Sequence, residues 1–123
     1  MFGFIRKAKE VYERQQAEQR AALTEALKKA LLNATYEGSI ATGLSEDHPD
    51  VPALMEKQGK IVIGFEMFNA GTHPRDIPDS EPLVKAATAL AYDANNQLTL
   101  EKLDKAQVTN RILFLLGFSE DEG

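Results

Sequence analysis

Cysteine is absent from this 123-residue chain, which excludes a disulfide framework and a thiolate nucleophile or metal ligand. Long apolar runs are missing too. Ile112 to Leu116 is among the longest, far short of the roughly 20 residues a bilayer span needs. Basic residues stand at 6, 7 and 9, but no apolar h-region or small-residue cleavage site follows them, so no secretory signal is read there. No Gly-rich phosphate loop, Walker sequence, nucleophile elbow or zinc-metalloprotease signature occurs. The expectation is a soluble, cytoplasmic, non-catalytic protein that needs no cofactor and no metal. The sequon Asn33-Ala34-Thr35 is then read as chance.

Apolar residues make up 43% of the chain and charged residues 27%, the balance of a single globular domain rather than a disordered chain. Charge is divided unevenly. Residues 1–35 carry seven Lys or Arg against four acids, whereas residues 36–123 carry seven against fifteen. A segment of charge +3 therefore joins a remainder of −8, for the net of −5. An acidic remainder is a poor partner for nucleic acid.

The basic segment, MFGFIRKAKEVYERQQAEQRAALTEALKKALLNAT, has no proline and is dense in strong helix formers. Apolar residues recur at helical spacing at 4, 5, 8, 11 and 12, and again at 22, 23, 26, 27, 30 and 31. Between them Glu13 to Arg20 offers nothing large and apolar, the pattern of a helix crossing solvent between two buried ends. A helix from Phe4 to about Ala34 would be about 45 Å long. A body of this size is roughly 35 Å across, so one end should overhang. Residues 1–35 are therefore read as a helical arm of the same domain, 36–118 as an acidic helical body and 119–123 as a frayed acidic tail.

Within the body, Tyr36 to Asp50 is punctuated by Gly38, Gly43 and Pro49 and carries Glu37, Glu46, Asp47 and Asp50 with no basic residue; it reads as an acidic loop. Residues 50–71 read two ways. As a helix, Asp50 is the cap, Pro52 lies in the first turn, and Gly71 is the stop. One face then carries Val51, Leu54, Met55, Gln58, Ile61, Val62, Phe65 and Phe68. As a strand, Ile61, Ile63, Phe65 and Met67 alternate with their neighbours after Gly59. Glycines at 59 and 64 cost a helix about 1 kcal/mol each, but a strand here has only the stretch around Tyr36 and Ile40 to pair with, and a lone hairpin is marginal. The helix is preferred.

After the Pro-rich Thr72–Asp79, Ser80 should cap a third helix on Leu83, Ala86, Ala87, Leu90 and Ala91, its alanines permitting close packing. A fourth should run from Thr99 to Gly117, with Ile112 to Leu116 central to the core. The expected fold is all-α, a long N-terminal helix plus three shorter ones around Phe65, Phe68, Leu90, Ile112, Leu113 and Leu116. The alternative is α+β with a small hairpin around residues 60–68.

Two histidines stand in similar settings, Asp47-His48-Pro49-Asp50 and Thr72-His73-Pro74-Arg75-Asp76. Metal ligation or acid–base work is conceivable for such pairs, but a helix over 51–70 would hold them about 30 Å apart. They are read as turn residues beside proline. Asp93 to Asp104 loosely resembles a calcium-binding loop, with Leu98 where glycine is needed and Asp104 where glutamate is usual, so affinity would be poor. The same region does not suit a helix-turn-helix reader, since Ile112 to Leu115 cannot pair with base edges.

The arm carries the functional expectation. Phe4, Ile5, Ala8, Val11 and Tyr12 form an apolar face flanked by cations including Arg6 and Lys9. Such a face can pair with the same helix of another subunit, dock in a groove of another protein, or lie on a membrane surface. Glu10 and Glu13 dilute the charge of the first 14 residues to +2, which makes the membrane the weakest of the three. The expected function is a protein-interaction module (an adaptor, inhibitor or assembly factor of the kind found among bacterial and phage accessory proteins) that forms a homo-oligomer or docks through this helix. The alternative is a small-ligand protein binding a nucleotide or anion between subunits through Lys60, His73 and Arg75, near helix N-termini that attract anions.

Overall fold

Helix α1, Phe2–Thr42, is one unbroken rod of 41 residues, about 60 Å long. The structure, a computed structural model, describes residues 2–96 and 103–119, with side chains from residue 7 onward. Among the described residues three shorter helices follow, α2 (Val51–Asn69), α3 (Pro82–Asn95) and α4 (Lys105–Leu116), with a 3₁₀ turn at Pro74–Asp76. The described residues contain no strand, so residues 60–68 are helical and the hairpin alternative falls away.

The core is set by one stripe from each helix. Leu23, Leu27, Leu31 and Ala34 of α1 meet Ile61, Phe65 and Phe68 of α2, Ala87, Leu90, Ala91 and Ala94 of α3, and Val108, Ile112 and Leu116 of α4. In α4 the buried positions are four residues apart, and Leu113, Phe114 and Leu115 are only half-buried. The expectation that Leu113 and the whole 112–116 run would be central is corrected accordingly: three neighbours cannot cover a full circumference of a helix on the edge of the bundle. Met55, placed on the buried face of α2 by spacing, is 63% exposed.

Tyr36 to Thr42 is helix, not loop. Gly38 does not break α1 because it lies on the core side, where the Phe118 ring sits so close that an added Cβ would come within 2.4 Å of it. That contact offsets the roughly 1 kcal/mol glycine costs in a helix. The stop comes at Gly43, with φ of +70°, where the Leu44 N–H donates to the Ser39 carbonyl at 2.8 Å and the Gly43 N–H to Ile40 at 3.1 Å. Gly71 and Gly117 end α2 and α4 by the same left-handed motif, with Thr72 N–H on the Met67 carbonyl and Phe118 N–H on that of Leu113, both at 2.9 Å.

Helix starts depart more from expectation. Asp50 occupies the N-cap position of α2 but makes no side-chain cap; its own N–H is taken by His48 Nδ1 at 3.1 Å. Ser80 lies in a turn closed by the Glu81 N–H on the Pro78 carbonyl, and α3 begins at Pro82 after Glu81, again without a side-chain cap. Both α2 and α3 carry proline in their first turn, where its missing N–H breaks no intrahelical bond. Thr99 lies outside the described residues; α4 begins at Lys105, where Asp104 accepts from the Gln107 N–H at 3.1 Å. Asp104→Ala should lower stability by about 1 kcal/mol in urea denaturation followed by circular dichroism.

Candidate interaction surface

Among the described residues the large apolar side chains left exposed all lie on α1 and α2. The projecting part of α1 comes first. From Lys7 to Gln19 every residue is exposed. Among the described residues the first tie to the other helices is the hydrogen bond from Gln19 Nε2 to Asn95 Oδ1 at 3.1 Å, and the first buried side chain is Leu23. About 18 Å of helix, residues 7–18, therefore stands clear of the other described helices. Ala8 and Lys9 are exposed, as are Val11 (40%) and Tyr12 (61%). Phe4, Ile5 and Arg6 lie in the helix, at positions whose side chains are outside the description. The arm's internal contacts are weak: Gln16 Nε2 donates to the Tyr12 hydroxyl at 2.8 Å, and Lys9 and Glu13 stand 4.0 Å apart in solvent, a pair of little worth. An isolated helix of this length is marginal in water, so this segment depends on propagation from the buried half or on something that covers it.

The second face was missed by sequence reasoning. Leu32, Tyr36 and Ile40 are 61%, 69% and 62% exposed and stand one turn apart along the outer side of α1. Tyr36 lies nine residues, two and a half turns, from buried Leu27, so it points away from the core. Reading 36–42 as loop hid this stripe; the regular spacing of 32, 36 and 40 was the available signal. Beside it, Leu32 forms one wall of a shallow groove of about 290 Å³ between α1 and α2, with Met55, Gly59 and Val62 on the other side. Ile63 and Met67 extend the exposed apolar surface of α2.

Charged groups elsewhere serve the fold. Lys28 of α1 bridges to Glu66 of α2 and lies 3.5 Å from Glu25. The hydrogen bond from Lys28 to Glu66 holds its ammonium above the ordinary 10.5, assisted by the charges of Glu66 and Glu25. Because the folded value is raised, this link contributes fully below about 10.5 and is lost as pH rises through the raised value. Asp79, bonded by Lys85 Nζ at 2.6 Å, is held below its ordinary 3.8 by that hydrogen bond and by the lysine charge. Its contribution is present above that ordinary value and disappears as pH falls through the lowered one.

The alternative ligand residues are not gathered within one chain. Lys60 sits mid-α2, 3.4 Å from Glu56. Nine further residues of helix, about 14 Å, separate it from Asn69, beyond which lie His73 and Arg75. His73 Nδ1 accepts from the Arg75 N–H at 3.1 Å, and its ring stands 5.2 Å from that of Tyr92. His48 repeats this bond with the Asp50 N–H. In both loops the intervening proline has no N–H to compete, so His-Pro-X works as a turn acceptor at either end of α2. Among the described residues no group of three or more His, Asp or Glu converges as a metal shell would. Of the stretch that loosely resembles a calcium-binding loop, Asp93 is bonded by Arg111 at 3.2 Å and Asp104 caps α4, while residues 97–102 lie outside the described ones. No helix among the described residues is long and apolar enough to cross a membrane.

Comparison with protein-family models, curated proteins and solved structures gives no match to the chain.

Proposed function

We propose that this protein is a non-catalytic interaction module, an adaptor, inhibitor or assembly factor, that associates through α1 and in the first place with another copy of itself. One observation carries the reading: about 18 Å of α1, residues 7–18, stands clear of the other described helices with Val11 and Tyr12 exposed on it. The arm cannot cover these residues by folding back, because α1 is continuous from Phe2 to Thr42. The charge division agrees, since a basic arm is complementary to an acidic body that it cannot reach within its own chain. Among the described residues, the titratable groups brought together elsewhere form surface ion pairs and turn acceptors.

The test is the mass in solution of the full chain and of Val11→Glu/Tyr12→Glu, by light scattering from about 1 to several hundred micromolar. Both positions are exposed, so at concentrations where the parent is dissociated the variant should match its helicity and melting temperature. Covering a side chain of this size is worth about 1.5–3 kcal/mol, so the variant should associate at least a hundredfold more weakly. A full chain that is monomeric throughout would sink the reading of self-association.

A further inference from the structure

We infer that the occupant of the outer stripe of α1 is the arm of a second copy lying antiparallel, so that two α1 helices cross near Ala22 and each basic start covers the other's acidic end. This rests on the proposed self-association and specifies its partner surface and direction.

Three observations carry it. The first is spacing. Positions 4, 8, 11, 15, 18, 22, 25, 29, 32 and 36 alternate steps of four and three, the repeat that keeps one seam of a helix facing a partner. Large or apolar residues occupy the two ends of that seam, Phe4, Ala8 and Val11 at one and Leu32 and Tyr36 at the other, and Gln15, Glu18, Glu25 and Lys29 fill its middle. In parallel pairing the polar middles would still meet, but each apolar end would face a copy of itself. In antiparallel pairing about Ala22, Ala8 lies opposite Tyr36, Val11 falls between Leu32 and Tyr36, position 4 meets Ile40, and Gln15 stands opposite Lys29. A small residue thus meets the largest ring on the stripe.

The second observation is charge. Lys7, Lys9 and Arg14 flank the arm's apolar face, whereas Glu37, Glu46, Asp47 and Asp50 occupy the far end of α1 and the loop beyond it, where residues 36–50 carry no Lys or Arg. In this register Lys7 lies opposite Glu37, with Lys9 two residues away, so antiparallel pairing sets the basic start of one arm at the acidic end of the other α1, and parallel pairing sets like against like. Surface charges of this kind select direction more than they add affinity.

The third is steric. The stripe faces away from the core, as Tyr36 (69% exposed) and Leu27 (1%) show, so a helix laid along it meets no part of its partner's bundle. The crossing point has Ala21 and Ala22, both exposed, which permit a close helix approach. The relation is isologous: each copy gives its arm and receives the other's, and the assembly closes as a dimer.

The chain has no cysteine, so a single introduced thiol carries a unique spin label. Glu10→Cys and Ala21→Cys place labels off the seam. In full-length protein, labels at 21 should lie within about 20 Å of each other, and labels at 10, 24 residues apart in the antiparallel register, about 36 Å or more. Short distances at both positions would mean parallel pairing and overturn the inference while leaving self-association standing. A second variant, Leu32→Glu/Tyr36→Glu, alters only exposed residues and should weaken the dimer at least a hundredfold with the melting temperature retained. If it dimerises like the parent while Val11→Glu/Tyr12→Glu does not, the arm binds elsewhere and this surface is wrongly assigned. A parent that is monomeric at every concentration removes both readings.

Discussion

Gly64→Ala is expected to destabilise the protein by about 2 kcal/mol, although in most helices that exchange is favourable. Gly64 lies where α2 crosses α3, and a Cβ there would come within 2.5 Å of the Ala87 Cβ, 2.6 Å of the Val84 carbonyl oxygen and 3.1 Å of the Thr88 nitrogen. Two of these three atoms are backbone and cannot turn aside, so α3 must move away. That movement would loosen the buried Thr88 hydroxyl, which lies 2.9 Å from both the Gly64 and the Val84 carbonyl oxygens and can donate to either. Overpacking of this kind costs about 1–3 kcal/mol, occasionally more, against a propensity gain of at most about 1 kcal/mol. The control is in the same helix. Gly59 has nothing within 4 Å of an added Cβ, so Gly59→Ala should stabilise by about 0.5–1 kcal/mol. Urea denaturation of both variants decides the matter. A Gly64→Ala protein as stable as the Gly59→Ala one would mean that α2 and α3 do not approach this closely.

Phe68→Ala should have the largest effect of any single truncation, about 3–5 kcal/mol, a large share of the roughly 5–15 kcal/mol that hold a domain together. Phe68 is fully buried and meets the Tyr92 ring edge to face, with centroids 5.2 Å apart at 82°. Its removal leaves a cavity between α2 and α3 and forfeits an aromatic contact worth about 0.5–1.5 kcal/mol in its own right. Phe114→Ala provides the comparison, because that ring is half-buried on the flank of α4 and should cost far less. Equal losses at the two positions in urea denaturation would contradict the burial described above.

The fold was legible where local chemistry decides it. The unbroken arm, the helix over 51–69 and the left-handed stops at Gly71 and Gly117 all follow from helix formers, apolar spacing and the one residue that adopts positive φ cheaply. The errors share a cause. Gly38 reads as a turn residue only if its neighbour across the bundle, Phe118, is unknown, and that neighbour is eighty residues away in the chain. Asp50 and Ser80 are good caps by type, yet Asp50 makes no side-chain cap bond and the turn over residues 78–81 leaves Ser80 one residue ahead of the N-cap position. The arm's exposed face was visible from spacing and charge, but the matching stripe at Leu32, Tyr36 and Ile40 was not, because it lies on residues assigned to a loop.

Composition, periodicity and charge order thus determined by themselves that the chain is helical, that its first helix outruns its bundle and that basic and acidic residues are separated along it; these depend on interactions within a few turns and on length. Only the tertiary structure decided which side of each helix is buried, which glycine is a close contact and which an open notch, and which apolar residues on α1 are left facing solvent. Those outcomes depend on contacts between residues distant in the chain, and no local pattern encodes which partner will arrive.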